Sequence, residues 1–365
     1  MTSVARMTVP TRTQSRDGGQ VITTSPPAKD RQDRRSPTAP LPGLAVAVVV
    51  AVAATPIGLA VPLLGAPVVG IVIGVALSRL VGRWSFLRTG IAFSARNVLQ
   101  VAVVMLGSQL SLRQVADVGI SSMPVMLGTL VACLLVAWVL GRRLGIDRDL
   151  RTLIGVGTAI CGASAIAAVS PVLRARSSTI AYAVSTIFCF NIAAVLLFPP
   201  LGHALGLGQD AFGLFAGTAV NDTSSVVAAA TTYGQEAANH AVVVKLTRTL
   251  MIIPICLTLG VVTADPTTTS AERPHLLRRT VRLVPWFLVG FLLVAAANTA
   301  GAIPAAAQPL TRSASVFLIT VAMAAIGLST DFAALRRAGG RPLLLGAVLW
   351  VVVTSTSLLL LRTAS

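Results

Sequence analysis

The chain has 365 residues, of which 55% are hydrophobic and 11% charged, with a mean hydropathy of +0.82 and a formal net charge of +17. A soluble fold carries about a quarter charged residues; it could not hide this much apolar surface, so the expected class is an all-α, polytopic membrane protein. Most of the 29 Lys and Arg sit in the tail or in short gaps between apolar runs rather than in one stripe interleaved with aromatics, which excludes a nucleic-acid-binding surface and matches cytoplasmic membrane loops.

Residues 1–40 read as a disordered cytoplasmic tail rich in Arg, Ser, Thr and Pro, followed by one transmembrane domain over 41–365. No cleavable signal is expected, since the first apolar run starts near Leu41 and lacks a cleavage site. Eleven apolar segments follow, near 42–60, 64–81, 97–112, 122–141, 151–173, 178–199, 210–232, 240–263, 283–303, 313–331 and 343–361. Most approach the ~20 residues needed to span a bilayer. The third is short, and its lead-in from Gly90 to Arg96 extends the same helix.

Arg79, Arg83, Arg88, Arg96, Arg142, Arg143, Arg148, Arg151, Arg273, Arg278, Arg279, Arg282, Arg336, Arg337 and Arg341 fall on the side of the tail. Arg113, Arg174, Arg176, Arg312 and Arg362 fall on the other. The bias predicts an inner-membrane protein with a cytoplasmic N-terminus and an external C-terminus. The loop from Gly202 to Gln209 carries no Lys or Arg. The topology therefore also survives if segments five and seven are both re-entrant hairpins, with Arg174 and Arg176 then cytoplasmic. Charge counting leaves both arrangements open.

Those two segments resemble each other. Segment five contains Gly157-Thr158-Ala159-Ile160-Cys161-Gly162-Ala163-Ser164, and segment seven Gly217-Thr218-Ala219-Val220-Asn221-Asp222-Thr223-Ser224. Both are small, polar and Gly-bearing at mid-segment, which predicts two interrupted helices. Broken backbone at membrane depth is tolerated only where it is buried in protein or faces water, and paired broken helices point to a transporter site near the midplane. Freed amides of a half-helix favour an anion. Thr158, Ser164, Thr218, Thr223 and Ser224 can add donors, and Cys161, Gly162 and Asn221 complete the motifs. Tight packing through small residues is the competing reading. Asp222 is expensive inside a membrane and marks a function, such as coupling to a proton or cation. Beside an anion it must be protonated or paired.

Segment eight supplies bases. Lys245 and Arg248 are three apart and share a helix face. They lie one to two turns inside the external end if the helix starts near His240. They either hold an anion, neutralise Asp222, or snorkel to the interface. A second echo relates Val101–Gly107 to Val321–Gly327, which suggests two structural repeats, although the two echoes do not map onto one simple repeat order. Asn191 reads as a kink cap or an interhelical bond. His203, His240 and His275 do not cluster. Cys133, Cys161, Cys189 and Cys256 lie in apolar runs without CxxC spacing, so neither a disulfide framework, a metal site nor a cofactor is expected. No nucleotide-binding loop, HExxH or hydrolase triad is present, so the chain does not read as an enzyme or a primary pump.

The Gly157–Ile166 motif, the Gly217–Val227 motif and Val244-Lys245-Leu246-Thr247-Arg248 together resemble the YeiH-type sulfate exporter family of bacterial membrane proteins, from about Pro40 to the C-terminus. The resemblance implies a secondary transporter with inverted repeats, similar in plan to bile-acid symporters and cation/proton antiporters. It implies export of a small anion such as sulfate, with a proton or cation as coupling partner. Where the family pattern has His before the Asp, this chain has Asn221, so a proton-carrying role at that position does not transfer. A cation/proton antiporter built on Asp222 and a non-transporting scaffold or sensor are the alternatives. Assembly of several copies stays open.

Overall fold

The computed structural model describes residues 40–60, 65–81, 83–263, 286–330 and 340–364. The tail, Arg273, Arg278, Arg279 and Arg282 after segment eight, Arg336, Arg337 and His275 lie outside the described residues.

Polarity is distributed as lipid solvent demands. Val131, Leu135 and Trp138 on one helix, Val351 and Leu359 on another, and Leu293 on a third are exposed, whereas Lys245 and Arg248 are fully buried. A water-soluble fold would reverse this. Among the described residues the secondary structure is helical, and seven helices are long and apolar enough to cross a membrane.

In chain order, α1 (Leu41–Ala60) and α2 (Gly65–Val81) form an antiparallel pair. A continuous span, Ser85–Gln109, then includes α3 (Arg88–Phe93) and α4 (Leu99–Leu106) around a π turn at Ser94–Val98. The lead-in before segment three is thus helical, as expected. The short α5 (Leu112–Ser121) follows, opened by a reciprocal capping box between Ser111 and Gln114. Next come α6 (Met123–Arg143), α7 (Arg148–Ala159), α8 (Ala163–Leu173), α9 (Ser177–Ala204), α10 (Gln209–Ala219) and α11 (Thr223–Tyr233). The chain continues through α12 (Gln235–Leu250) and α13 (Ile252–Thr263), then α14 (Trp286–Thr299), α15 (Gln308–Leu328) and α16 (Gly340–Ala364).

Segments five and seven are interrupted, as predicted, and both turn back on themselves. In the second, the ring of Phe212 near the start of α10 stacks on Tyr233 at the end of α11, with centroids 3.8 Å apart. The Tyr233 hydroxyl donates to Leu207 O, and Gln209 Oε1 accepts from the amides of Glu236 (3.0 Å) and Ala237 (3.2 Å). Both ends of the α10–α11 unit therefore sit at one base. In the first, a Cβ on Gly157 would lie 3.1 Å from Ile166 Cγ1. A straight helix from 157 to 166 would separate these residues by about 13 Å, so α7–α8 also folds back. The structure thus selects the hairpin arrangement, and the fifth and seventh of the eleven apolar segments are not crossings.

The hairpins enter from opposite faces. α12 and α13 run on with only Met251 between them. Gly213 and Gly217 of α10 pack on Ala237, Ala241 and Val244 in the first half of this rod. Arg151, Thr152, Gly155 and Val156 of α7 share a cleft with Ile255, Thr258 and Leu259 in the second half. We call the face where α1 begins proximal and the other distal. α7–α8 re-enters from the proximal face and α10–α11 from the distal, an inverted pair. The second echo has the same relation: α4 runs toward the distal face and α15 toward the proximal one.

The largest apolar core joins both hairpins to α6, α9 and α16. A second core joins α2, α4, α14 and α15 to α12, and a third joins α1 and α15. Close approach in the second bundle depends on glycine: a Cβ on Gly74 would fall 2.4 Å from Ala324 O, and one on Gly327 the same distance from Ile71 O.

Candidate functional site: two hairpin tips joined by a buried lysine

The tips are Ile160-Cys161-Gly162 and Val220-Asn221-Asp222. Gly162 has φ +66°, a left-handed backbone that a side chain would strain, and it ends the first arm by turning the chain into α8. A Cβ built on Gly162 would lie 3.3 Å from Asp222 Cβ, so the tips touch. Sequence similarity between the motifs thus becomes spatial apposition.

Lys245 ties them together. Its ammonium, 0% exposed, donates to Ile160 O at 2.8 Å and to Val220 O at 2.7 Å. These carbonyls end α7 and α10. A helix C-terminus carries roughly half a negative charge, so two of them balance one ammonium. Arg248, also 0% exposed, donates through Nη1 to Thr218 O, two residues before Val220. Its Nε and Nη2 have no partner among the described residues. Because α12 begins at Gln235 rather than near His240, Lys245 lies about 15 Å along the helix. It is a mid-span residue, not the near-surface one that the apolar run suggested.

On the far side of the tips, the N-termini of α8 and α11 begin beside one another. Neither N-cap residue, Gly162 or Asp222, caps its helix with a side chain. First-turn amides of such helices lack intrahelical partners and carry partial positive charge. Asp222 is half-buried between them; its carboxylate accepts from Ser224 Oγ, and its amide donates to Asn191 Oδ1 at 3.3 Å. It pairs with neither Lys245 nor Arg248 among the described residues: both bases are turned to backbone carbonyls.

The remaining predicted residues separate by environment. Ser164 is exposed, Thr223 half-buried and Ser224 buried at the two N-termini. The Ser164 hydroxyl donates to Cys161 O at 2.8 Å and lies 3.0 Å from Cys161 Sγ. Asn221 is buried, with Oδ1 lacking a partner among the described residues. Thr158 and Thr218 are buried inside the first arms, with Thr218 Oγ1 2.6 Å from Ser357 Oγ. Those two threonines support the arms and do not reach the N-termini of α8 and α11. All four cysteines are free. His240 meets Asp210 at 3.3 Å at the base of α10, away from the tips. The sequence undervalued Asn191: its amide stands alone in the apolar run of α9, and it holds the Asp222 backbone.

Comparison with known proteins adds the family. Residues 42–346 match the family described as conserved hypothetical protein 698. A UPF0324 membrane protein of Streptococcus pyogenes serotype M18 is 42% identical over 326 residues, covering 87% of this chain and 95% of the relative. A UPF0324 membrane protein of Streptococcus agalactiae serotype V is 42% identical over 324 residues, 87% and 96% of the two chains. One of Streptococcus pneumoniae is 42% identical over 305 residues, covering 81% and 89%. No solved structure matches.

Proposed function

We propose a function for a chain that belongs to the family of conserved hypothetical protein 698, the YeiH-type membrane proteins: it is a secondary transporter of a small anion. One observation carries this reading. Two half-helix N-termini, brought in from opposite faces, meet beside a single carboxylate, while Lys245 balances the two C-termini behind them. Interrupted helices with ends meeting inside the bundle are how transporter folds build midplane sites.

The charges define the chemistry. Two N-termini contribute roughly one positive charge together, which ionised Asp222 cancels. With Asp222 protonated, the first-turn amides and the hydroxyls of Ser164, Thr223 and Ser224 face an anion without repulsion. Proton and anion therefore bind together, and one proton travels with each anion. Rocking of the bundle of α1, α2, α4, α14 and α15 against the hairpins would expose the site to each face in turn. Arginines around the α6–α7 turn make the proximal face cytoplasmic. The N-terminus is then inside and the C-terminus outside the inner membrane. Sulfate and export are what the family resemblance implies. A divalent anion moving with one proton keeps a negative charge, so an inside-negative potential drives it outward.

A specific observation favours a second reading. Asp222 and Ser224 are joined by a hydrogen bond, and the neighbouring Asn221 keeps a buried Oδ1 without a partner among the described residues; oxygens of these kinds suit a small cation, as in a cation/proton antiporter. Thermal stability of the purified protein across a panel of anions and cations separates the two. A ligand at 100 times its Kd stabilises a folded state by about 2.7 kcal/mol. Stabilisation by sulfate or another oxyanion, stronger at low pH, supports the anion transporter. Stabilisation by Na⁺ alone, lost in Asp222→Asn, supports the antiporter. No response to any ion, at either pH, contradicts both.

A further inference from the structure

A cleft of about 300 Å³ opens between α6, α7 and α13, on the proximal half of the molecule and outside the paired tips. Its walls are mostly apolar: Leu134, Trp138, Val156, Ile255 and Leu259. Arg151 lies at its proximal end, where its stem packs on the end of α6; a Cβ on Gly141 would lie 2.8 Å from Arg151 Cβ. Arg151 forms no ion pair among the described residues, although Asp147 and Asp149 lie on the same turn. Arg142, Arg143 and Arg148 lie on the same α6–α7 connection, so the 142–151 segment is net positive against those two carboxylates. Trp138 is 56% exposed at the mouth. Amphipathic Trp favours the headgroup level of a bilayer, and basic pockets between membrane helices recognise anionic headgroups.

We propose that this cleft is a binding site for one anionic phospholipid, with the headgroup phosphate at Arg151 and an acyl chain between α6 and α13. Lined at one end by a cation that makes no ion pair among the described residues, and by apolar side chains along its length, it fits neither a free inorganic anion nor a zwitterionic lipid as well. A lipid seated there braces α7, the outer arm of the proximal hairpin, against α13. The inference is independent of the transported substrate.

Native mass spectrometry of the full-length protein, exchanged into micelles holding phosphatidylglycerol and phosphatidylcholine with matched chains, tests it. The wild type should retain phosphatidylglycerol preferentially. One basic residue near a membrane surface contributes about 1 kcal/mol toward anionic lipid, so Arg151→Gln should lower that preference roughly fivefold. Arg142→Gln, on the exposed side of the same turn, should change it less. Thr258→Trp, which fills the exposed mouth, should lower retention of both lipids. Equal retention of the two lipids by the wild type overturns the proposal. So does an unchanged preference in Arg151→Gln, or displacement of the lipid by millimolar inorganic phosphate. If Arg151→Gln does not fold, the Thr258→Trp result and phosphate competition on the wild type decide.

Discussion

Lys245 is held by two carbonyls that belong to helices entering from opposite faces. Replacing it with Met leaves both carbonyls buried and unpartnered, which should cost about 3 kcal/mol. The check is the midpoint of denaturant unfolding in detergent. Arg at this position should not restore stability, because a planar guanidinium does not fit two carbonyls arranged around a point charge. Asn191→Leu removes the acceptor of the Asp222 amide and should lower stability by about 1–3 kcal/mol. An effect within 0.5 kcal/mol would mean that the second tip holds its shape without that contact. At this scale the sequence was informative about chemistry and poor about partners. The motifs named Cys161, Gly162, Asn221 and Asp222, all of which lie at the tips. Periodicity could not show that Lys245 serves backbone rather than Asp222, since its partners lie 85 and 25 residues away. The position of Arg248 was legible, but its bond to Thr218 O was not.

The hairpins are the least legible elements. An eleven-residue arm, a three-residue break and a second eleven-residue arm have the same length and hydropathy as one crossing. Only tertiary contacts distinguish them, here the Phe212–Tyr233 stack and the Gln209 cap on α12. The structure therefore predicts labelling by a membrane-impermeant thiol reagent. Cysteines placed at Arg148 and Arg174 should react from one side of sealed vesicles, and those at Gln209 and Gln235 from the other. If Arg148 and Arg174 report opposite sides, α7–α8 crosses and the hairpin is wrong. The helix α5 was legible but unread: Ser111 and Gln114 spell a capping box ahead of an amphipathic stretch. Gly202→Val should loosen the base of the distal hairpin, since a Cβ there would lie 2.4 Å from the Phe212 ring. Faster hydrogen exchange over 209–233 would show it.

For the whole molecule, composition was enough to establish a helical membrane protein, and the two echoes were enough to suggest internal repeats, whose inversion only the family resemblance implied. The assembly of two bundles around α12 was not readable, because small residues such as Gly74 and Gly327 pack helices without a directional signal. The transport reading makes a pH-dependent claim at this scale. In the proposed cycle a proton binds at Asp222 together with the anion, so apparent affinity should be greater at low pH, and Asp222→Asn should bind with little pH dependence. Equal pH dependence in the variant and the wild type would remove Asp222 from coupling.

The central claim is that the paired N-termini form the anion site, and thiol protection there tests it most directly. Ser164→Cys and Thr223→Cys, one on each hairpin, are labelled in proteoliposomes with and without sulfate, phosphate and small carboxylates. The account predicts that one class of anion slows labelling at both positions and does so more at low pH. Labelling that no anion slows at either position, while the same anions cross the membrane through the protein, would place the site elsewhere.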